Sequence, residues 1–285
     1  MPSPAVSFEF FPPRNLDASF RLWETAQALA PLHPAFVSVT YGAGGTTRQL
    51  THEAVTALAN HYRLNVAAHL TCVDASRAET MQIVDDYAKA GVREIVALRG
   101  DAPQGQAGWA AHPEGFASSV ELIEAIAARG GFTIRVGAYP EPHPDSGGST
   151  AADVAFLKRK IEAGANSAIT QFFFEAETFF RFRDACAAAG IDAPILPGIL
   201  PIQSWNGARK FAERCGTSVP GWAIDAFEAA GPEDEAQLAR DLCVTLCRDL
   251  IEGGVDHLHF YTLNRPGMTL AVCRDLEVSK NGLAA

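Results

Sequence analysis

The chain has 285 residues, 48% of them hydrophobic, which is enough for one large α/β domain or two small ones with a substantial core. Its formal net charge of −10 argues against a broad binding surface for nucleic acid or anionic lipid. It shows neither an apolar run long enough to span a membrane nor a signal-type N-terminus, so we predict a soluble cytoplasmic protein.

Short strand-like segments alternate with amphipathic helical segments along the chain. In order, the predicted strands are AVSFEF, FVSVTY, NVAAHL, EIVALR, TIRVGAY, SAITQFFF, PILPGI and HLHFYT. This alternation, without a long linker, predicts a parallel sheet in a single domain. Eight strands favour a (β/α)8 TIM barrel spanning residues 1–285. Periodicity alone leaves an open, doubly wound sheet as the alternative.

The first predicted strand carries Glu9 between Phe8 and Phe10, in the segment SFEFFPPR. Burying a carboxylate in apolar surroundings is unfavourable by several kcal/mol unless the group is paired or protonated. Because side chains alternate along a strand, Glu9 is predicted to point into the barrel while both phenylalanines pack outward. We interpret Glu9 as an acid with a raised pKa that donates a proton. The alternative is a carboxylate paired with a buried Arg or Lys.

Further polar and aromatic side chains stand at or just beyond the ends of the later predicted strands. In a barrel these ends converge on one face, where active sites of this architecture are assembled. The residues are Thr40, Tyr41, His69, Arg99, Gly100, Asp101, Tyr139, Glu141, His143, Gln171, Tyr261 and Arg265. Core packing alone does not explain such a set, so we predict the site there.

Other motifs are less informative. The basic segment LKRK, with Lys158 to Lys160, is either a solvated helix face or a phosphate-holding group. The glycine-rich YGAGG lacks both the Rossmann and the Walker pattern. His257 and His259 alternate on the last strand and share one face, but without a third ligand they are weak support for a metal, and none is predicted. The six cysteines have no CxxC spacing, and Cys243 and Cys247 are predicted to be core residues.

Nearly the whole chain resembles the bacterial 5,10-methylenetetrahydrofolate reductases, which are FAD-dependent (β/α)8 barrels. The resemblance is carried, in order, by SFEFFPPR, FVSVTYGA, HLTC, IVALRGD, AYPEPHP, LKRK, ITQFFF, PGILP and HFYTLNR. It implies reduction of 5,10-methylenetetrahydrofolate to 5-methyltetrahydrofolate with NADH or NADPH as the hydride donor. The nicotinamide and the folate would take turns at bound FAD in a ping-pong reaction. It also implies a homo-oligomer.

The resemblance assigns roles to matching residues. Glu9 matches the general acid that assists opening of the methylene bridge, and Asp101 matches an acid beside the flavin that helps to engage the pterin. The FAD-contacting positions are Thr40, His69, Arg99, Gly100, Asp101, Tyr139, His143, Asp153, Arg159 and Lys160. The substrate-contacting positions are Glu9, Gln171, Trp205, Tyr261 and Arg265, with Trp205 stacking on a ligand ring. Phe116 and Phe156 replace polar residues, so two FAD contacts are expected to be missing.

Three alternatives remain at this point. The same enzyme could work mainly in reverse, oxidising methyltetrahydrofolate. A different barrel enzyme could bind pterins without flavin. A catalytically inactive barrel could serve as a binding scaffold, although the joint presence of Glu9, Asp101 and Gln171 argues against that reading.

Overall fold

The computed structural model describes residues 3–41, 48–101, 109–143 and 146–278, apart from the side chain of Arg48. The glycine-rich loop after Tyr41 therefore lies mostly outside the described residues. The strands are β1 (Ala5–Phe10), β2 (Phe36–Val39), β3 (Val66–Thr71), β4 (Glu94–Leu98), β5 (Thr133–Ala138), β6 (Ser167–Thr170), β7 (Ile195–Leu196), β8 (Gly198–Ile199) and β9 (His257–Tyr261).

Helices follow most of the strands and surround the sheet. They are α1 (Leu16–Leu29), α2 (Arg48–His61), α3 (Arg77–Lys89), α4 (Ser119–Arg129), α5 (Thr150–Glu162), α6 (Ala176–Ala188), α7 (Trp205–Cys215), α8 (Gly221–Ala229), α9 (Glu235–Glu252) and α10 (Pro266–Asp275), with a short 3₁₀ turn at Ala30–Leu32. Several begin at a side-chain cap. Ser76, for example, forms a reciprocal capping box with Glu79 at the start of α3.

All strand pairs are parallel, and the sheet order is β7-β6-β5-β4-β3-β2-β1-β9-β8. β7 pairs with β6, whereas β8, one residue later in the chain, pairs with β9. The segment that contains both short strands therefore bridges the two ends of the sheet and nearly closes it. This confirms the predicted barrel, and the open doubly wound alternative is wrong.

The seventh predicted strand is split into β7 and β8 at Pro197. Proline has no backbone N–H to donate to a ladder. Its carbonyl oxygen instead accepts a hydrogen bond from the backbone of His259, with N and O 3.0 Å apart. Immediately after it, a Cβ on Gly198 would overlap the carbonyl oxygen of Thr170 and the ring of Tyr261, so only glycine allows this close approach.

The main core lies between the strands and the surrounding helices. Phe8 and Phe10 face outward from β1 and are fully buried there, as the alternation predicts. Cys243 and Cys247 on α9 belong to the same core. The barrel interior holds a smaller apolar cluster, formed by Phe36, Ala67, Val96, Ile169 and Leu196. In the described part of the chain, no helix is long and apolar enough to cross a membrane.

Candidate active site

Glu9 points into the barrel from the C-terminal half of β1. Its Oε2 atom lies 3.4 Å from Nε2 of His69 on β3 and 3.9 Å from Nε2 of His259 on β9. The hydroxyl of Ser38, opposite Glu9 on β2, is 3.5 Å from the same oxygen. The Glu9 side chain is 15% exposed, so the carboxylate is nearly buried but keeps an opening. Neither an arginine nor a lysine pairs with it among the described residues.

These surroundings make Glu9 a stronger acid than usual. Burial raises the pKa of Glu9, but the neighbouring imidazoles of His259 and His69 outweigh that effect and lower the pKa to about 2. The expected raised pKa is therefore wrong for the site without ligands. The prediction was wrong because the imidazoles lie on strands far away in the chain. Their effect on the pKa of Glu9 exceeds that of the apolar neighbours on β1.

His259 and His257 both contact Ser7, which lies on the inward face of β1 two residues before Glu9. Nδ1 of His259 is 2.8 Å from Oγ of Ser7, and Nε2 of His257 is 2.9 Å from the same Oγ. Burial lowers the pKa of His259, and burial together with nearby His259 and Arg135 lowers the pKa of His257 to about 3. Both imidazoles are therefore neutral near pH 7. The shared inward face predicted from sequence is confirmed.

A first cavity of about 420 Å³ opens beyond the C-terminal ends of β3, β4 and β5. Seven of the ten predicted FAD-contacting residues line this cavity. They are Arg99, Gly100, Asp101, Tyr139, His143, Asp153 and Lys160. The residues come from the ends of β4 and β5 and from α5, and the barrel geometry brings them together.

The lining combines charge with aromatic surface. The rings of Tyr139 and His143 meet edge to face, with centroids 4.5 Å apart. Asp153, in the first turn of α5, accepts a hydrogen bond from the backbone N of His143 at 2.9 Å. Burial, with the charge of Asp101 nearby, raises the pKa of Tyr139 to about 12, so its hydroxyl remains a hydrogen-bond donor at neutral pH.

Two buried polar groups in this cavity favour a binding site for a polar ligand. Lys160 is 7% exposed, and its ammonium donates to the carbonyl oxygen of Gly137 at 2.8 Å. Burial lowers the pKa of Lys160 to about 8, so the ammonium is still mainly charged at pH 7. The hydroxyl of Thr71 is buried and has no hydrogen-bond partner among the described residues. Such a group requires a partner, and a polar ligand in the cavity would provide one.

A second, larger cavity of about 690 Å³ lies beyond the C-terminal ends of β1, β2, β8 and β9. Its wall includes the aromatic rings of Phe11 and Phe211. Four exposed arginines also line it, and no acidic residue does so in the part of the chain that the structure describes, although the chain is acidic overall. They are Arg14, Arg21, Arg214 and Arg265. None of the four has a carboxylate partner among the described residues, so the cavity is suited to an anionic ligand.

The remaining predicted residues occupy different places. Thr40 and Arg265 line the second cavity, and His69 lies beside Glu9 rather than in the first cavity. Tyr261 faces Glu9 across the β1–β9 register and donates its hydroxyl to the carbonyl oxygen of Thr170 at 2.6 Å. Gln171 follows the end of β6, where its side-chain oxygen accepts from the backbone N of Phe172 at 3.0 Å.

Trp205 is not where the sequence analysis expects it. It is only 7% exposed and stacks on Phe227, with centroids 4.1 Å apart, rather than lining either large cavity. As the first residue of α7, it packs into a satellite core that includes Phe172 and Phe227. Phe211, two turns later on the same helix, lines the second cavity instead.

Three other residues singled out from the sequence lie as follows. Arg159 is exposed on α5 against the ring of Phe156 and lines neither large cavity. Phe116 is a core residue, 1% exposed, with the guanidinium of Arg77 over its ring, so a cofactor contact is not its role. Phe156 does line the first cavity and lies 4.8 Å from the Lys160 ammonium.

Several site residues were not found from sequence. Ser38, which contacts Glu9, and Ser7, which contacts both His257 and His259, look like ordinary strand residues. Arg14 and Arg21 carried a usable signal, since both lie just after the Pro-Pro break that ends β1 and therefore near the barrel mouth. Arg214 carried no such signal in the sequence, because only the packing of its helix brings it to the second cavity.

Comparison with known proteins gives a consistent family relationship. Residues 2–277 match the family profile described as methylenetetrahydrofolate reductase. The 5,10-methylenetetrahydrofolate reductase of Escherichia coli (strain K12) is 44% identical over 278 residues, covering 96% of this chain and 90% of the relative. The Arabidopsis thaliana protein named methylenetetrahydrofolate reductase (NADH) 1 is 34% identical over 284 residues, covering 95% of this chain and 48% of the relative.

A solved structure shares the fold at low sequence identity. It is an uncharacterized protein from Clostridium thermocellum, described as binding two copies of 5-methyl-5,6,7,8-tetrahydrofolic acid. It superposes with a TM-score of 0.61 at 11% identity, covering 97% of this chain and 96% of that chain. At this identity the likeness concerns the barrel fold alone.

Proposed function

The chain belongs to the methylenetetrahydrofolate reductase family, and we propose that it reduces 5,10-methylenetetrahydrofolate to 5-methyltetrahydrofolate with NADH or NADPH through bound FAD. The observation that carries the proposal is a nearly buried carboxylate, Glu9, at the mouth end of a barrel that also carries a mixed-charge cavity and an arginine-lined cavity. A proton donor and two separate ligand sites are what this reaction requires.

The first cavity is our proposed FAD site. Lys160 and Arg99 would hold the diphosphate by charge, and the unpartnered Thr71 hydroxyl would gain a hydrogen-bond partner. The edge-to-face pair of Tyr139 and His143 offers aromatic surface to a ring system. Bound FAD would supply hydride transfer from the nicotinamide to the folate, and the two substrates would bind in turn.

Glu9 is our proposed general acid. Opening of the methylene bridge leaves an electrophilic carbon when an amine nitrogen of the bridge is protonated, and the Glu9 carboxyl would supply that proton. The low pKa of Glu9, caused by its histidine neighbours, means that this proton is present only briefly and is transferred readily. The proton must therefore reach Oε2 of Glu9 at the time of reaction.

Asp101 is our proposed electrostatic residue. It lines the first cavity, so its negative charge would disfavour extra negative charge on a reduced ring held there and would favour a cationic folate. Both effects assist hydride donation toward the substrate. The arginine-lined second cavity would hold anionic groups of the substrates, such as the glutamate carboxylates of the folate or the phosphates of the nicotinamide donor.

An anaerobic visible spectrum of the purified protein tests this proposal. We expect a yellow protein that bleaches with NADH or NADPH and regains its colour when methylenetetrahydrofolate is added. A protein that binds no flavin even after FAD is added would overturn it. Bleaching by methyltetrahydrofolate but by neither nicotinamide would show that the reaction proceeds in the opposite direction. We also propose a homo-oligomer from the family resemblance, which sedimentation velocity would test.

A further inference from the structure

The barrel interior holds a line of polar groups that leads to Glu9, and the proposed reaction does not yet use the groups before Glu9. It runs from His257, at the start of β9, through Ser7 and His259 to Glu9. His257 lies near the N-terminal end of the barrel and is only partly buried, and Asp256 just before it is exposed. The line therefore connects the face opposite the two cavities with the carboxylate at the mouth.

Hydrogen-bond satisfaction leaves two directions for this line, and only one of them presents a donor to the Glu9 carboxylate. The Ser7 hydroxyl carries one hydrogen but contacts two imidazole nitrogens at 2.8 and 2.9 Å, so it donates to one ring and accepts from the other. If it donates to Nδ1 of His259, the neutral His259 ring carries its hydrogen on Nε2, the atom that faces Glu9. His257 then donates from Nε2 to Ser7, which leaves its Nδ1 as an acceptor.

The buried part of this line is suited to transferring a proton rather than storing one. Ser7 and His259 are fully buried, and burial lowers the pKa of both histidines, so a charged imidazole is short-lived there. Two further polar groups lie close to this line. The Arg135 guanidinium disfavours positive charge on both rings. The hydroxyl of Tyr261 already donates to a backbone oxygen and does not compete for Glu9.

We propose that His257, Ser7 and His259 form a proton relay that carries a proton from solvent at the N-terminal face of the barrel to Glu9. This relay rests on the proposed role of Glu9 as the proton donor. It would allow Glu9 to be reprotonated while ligands fill both cavities and keep water from the mouth. His257 is its outer end, Ser7 and His259 are its buried links, and none of the three contacts the substrate.

The transfer balances atom by atom. Glu9 receives the hydrogen of His259 Nε2, His259 Nδ1 receives the hydrogen of Ser7, and Ser7 receives the hydrogen of His257 Nε2. His257 Nδ1 then takes one proton from solvent, so one proton enters for each proton that Glu9 delivers. The 3.9 Å between His259 and Glu9 is about 1 Å longer than a hydrogen bond, and a rotation of the partly exposed carboxylate closes it. The rings and the hydroxyl then reorient for the next turnover.

Two variants test the relay by stopped-flow spectroscopy on the FAD-loaded enzyme. Ser7→Ala removes the middle link with the loss of one atom. His257→Gln keeps a donor to Ser7 but lacks the second ring nitrogen. We expect flavin reoxidation by methylenetetrahydrofolate to slow by about tenfold or more in both, with a larger solvent isotope effect. Flavin reduction by NADH or NADPH should stay within about twofold of wild type, because it does not require the Glu9 proton.

His61→Gln, which removes an exposed histidine at the end of α2, is the matched control. Wild-type reoxidation rates in both Ser7→Ala and His257→Gln would overturn the relay. Equal slowing of both half-reactions would indicate structural damage and would also count against it.

Histidine ¹⁵N NMR of the ligand-free protein tests the same line without any turnover. We expect His257 and His259 to carry their hydrogens on Nε2 in the wild type, and Ser7→Ala to change the tautomer balance of both rings. If neither ring responds to Ser7→Ala, the relay is wrong even if the enzyme is active. If the protein binds no flavin but both rings respond, the proposed reductase fails while the hydrogen-bonded line stands.

Discussion

Glu94 and Arg135 form an ion pair inside the N-terminal end of the barrel, with Oε2 of Glu94 2.7 Å from Nη2 of Arg135. The Arg135 guanidinium also lies 3.8 Å from the centre of the Phe36 ring. Oε1 of Glu94 accepts from Asn65 at 2.6 Å, and Nη1 of Arg135 donates to Ser167 at 2.9 Å. Each charge is therefore satisfied by several partners, and the pair closes the end of the barrel farthest from the cavities.

Removing one member of this pair should destabilise the fold strongly. Glu94→Ala leaves the Arg135 charge buried without its partner, so we expect the free energy of unfolding in urea to fall by about 3 kcal/mol. The double variant Glu94→Leu with Arg135→Met should recover much of that loss. Lys89→Ala, which breaks the exposed pair with Asp86, is the control and should change stability by less than about 1 kcal/mol. Equal effects at the two pairs would contradict this account.

Glu9→Gln should separate the two half-reactions. The amide fits the same space but cannot act as a carboxylic acid, so we expect flavin reoxidation by methylenetetrahydrofolate to slow by about 10²- to 10⁴-fold. Flavin reduction by the nicotinamide should continue. Stopped-flow absorbance measures both rates, and Glu124→Gln on the exposed face of α4 is the control. Reoxidation at the wild-type rate would remove Glu9 from the mechanism.

Gly100 should be intolerant of a side chain because of its neighbours as well as its backbone. Its φ is +85°, and a Cβ there would lie 2.5 Å from Cγ2 of Val73 and 2.9 Å from Cβ of Thr71. Gly100→Ala should weaken FAD binding by about tenfold or more, since such overpacking typically costs 1–3 kcal/mol. Gly91 has nearly the same φ, +84°, with nothing within 4 Å.

Gly91→Ala is therefore a matched control that introduces the backbone strain without the contacts. Its FAD affinity, measured by fluorescence titration, should be close to that of the wild type. If Gly100→Ala and Gly91→Ala bind FAD equally well, the close contacts in the first cavity are unimportant.

Asp101→Asn should raise the midpoint potential of bound flavin. The substitution removes a negative charge from the wall of the first cavity, so the reduced, more negative form of the ring becomes easier to reach. Equilibration with a reference dye under anaerobic conditions measures the shift. Asp192→Asn, an exposed site in the loop before β7, should leave the potential unchanged. An unchanged potential in Asp101→Asn would refute its electrostatic role.

The stability of the protein should fall on acidification partly because of His257. Burial lowers the pKa of His257 from about 6.5 when unfolded to about 3 when folded. Between these values the unfolded chain binds more protons, so the stabilisation is fully present above pH 6.5 and is lost as the pH falls toward 3. His257→Gln should therefore reduce the pH slope of the free energy of unfolding in that window by up to about 1.4 kcal/mol per pH unit.

Urea titrations at several pH values would measure this slope, with His61→Gln as the control that leaves it unchanged. Glu9 adds a second loss at lower pH. Its histidine neighbours overcome the effect of burial and lower the pKa to about 2, so its stabilisation disappears between about pH 4.5 and 2. A slope that is the same in His257→Gln and wild type would mean that His257 is not buried in its neutral form.

The sequence pattern predicted eight strands in a parallel sheet and the face that holds the cavities, whereas closure of the sheet into a barrel was seen only in the structure. Strand and helix periodicities are local properties, so eight strand segments could be located without any contact information. Glu9 was recognisable because a charged residue between two outward-facing phenylalanines must point inward. Residues from Arg99 to Asp101 and from Tyr139 to His143 were recognisable because they follow apolar strands directly.

The contacts between side chains that are distant in the chain could be found only from the tertiary structure. Glu9 acquires its acidity from His69 and His259, which are 60 and 250 positions away in the chain, and no local pattern encodes that proximity. The same holds for the bridge of Ser7 to His257. Trp205 turned into the core because apolar burial depends on helix packing, which a motif does not specify. Closure of the barrel brings distant strands together, and the resulting distances set the pKa values and hydrogen bonds on which the chemistry depends.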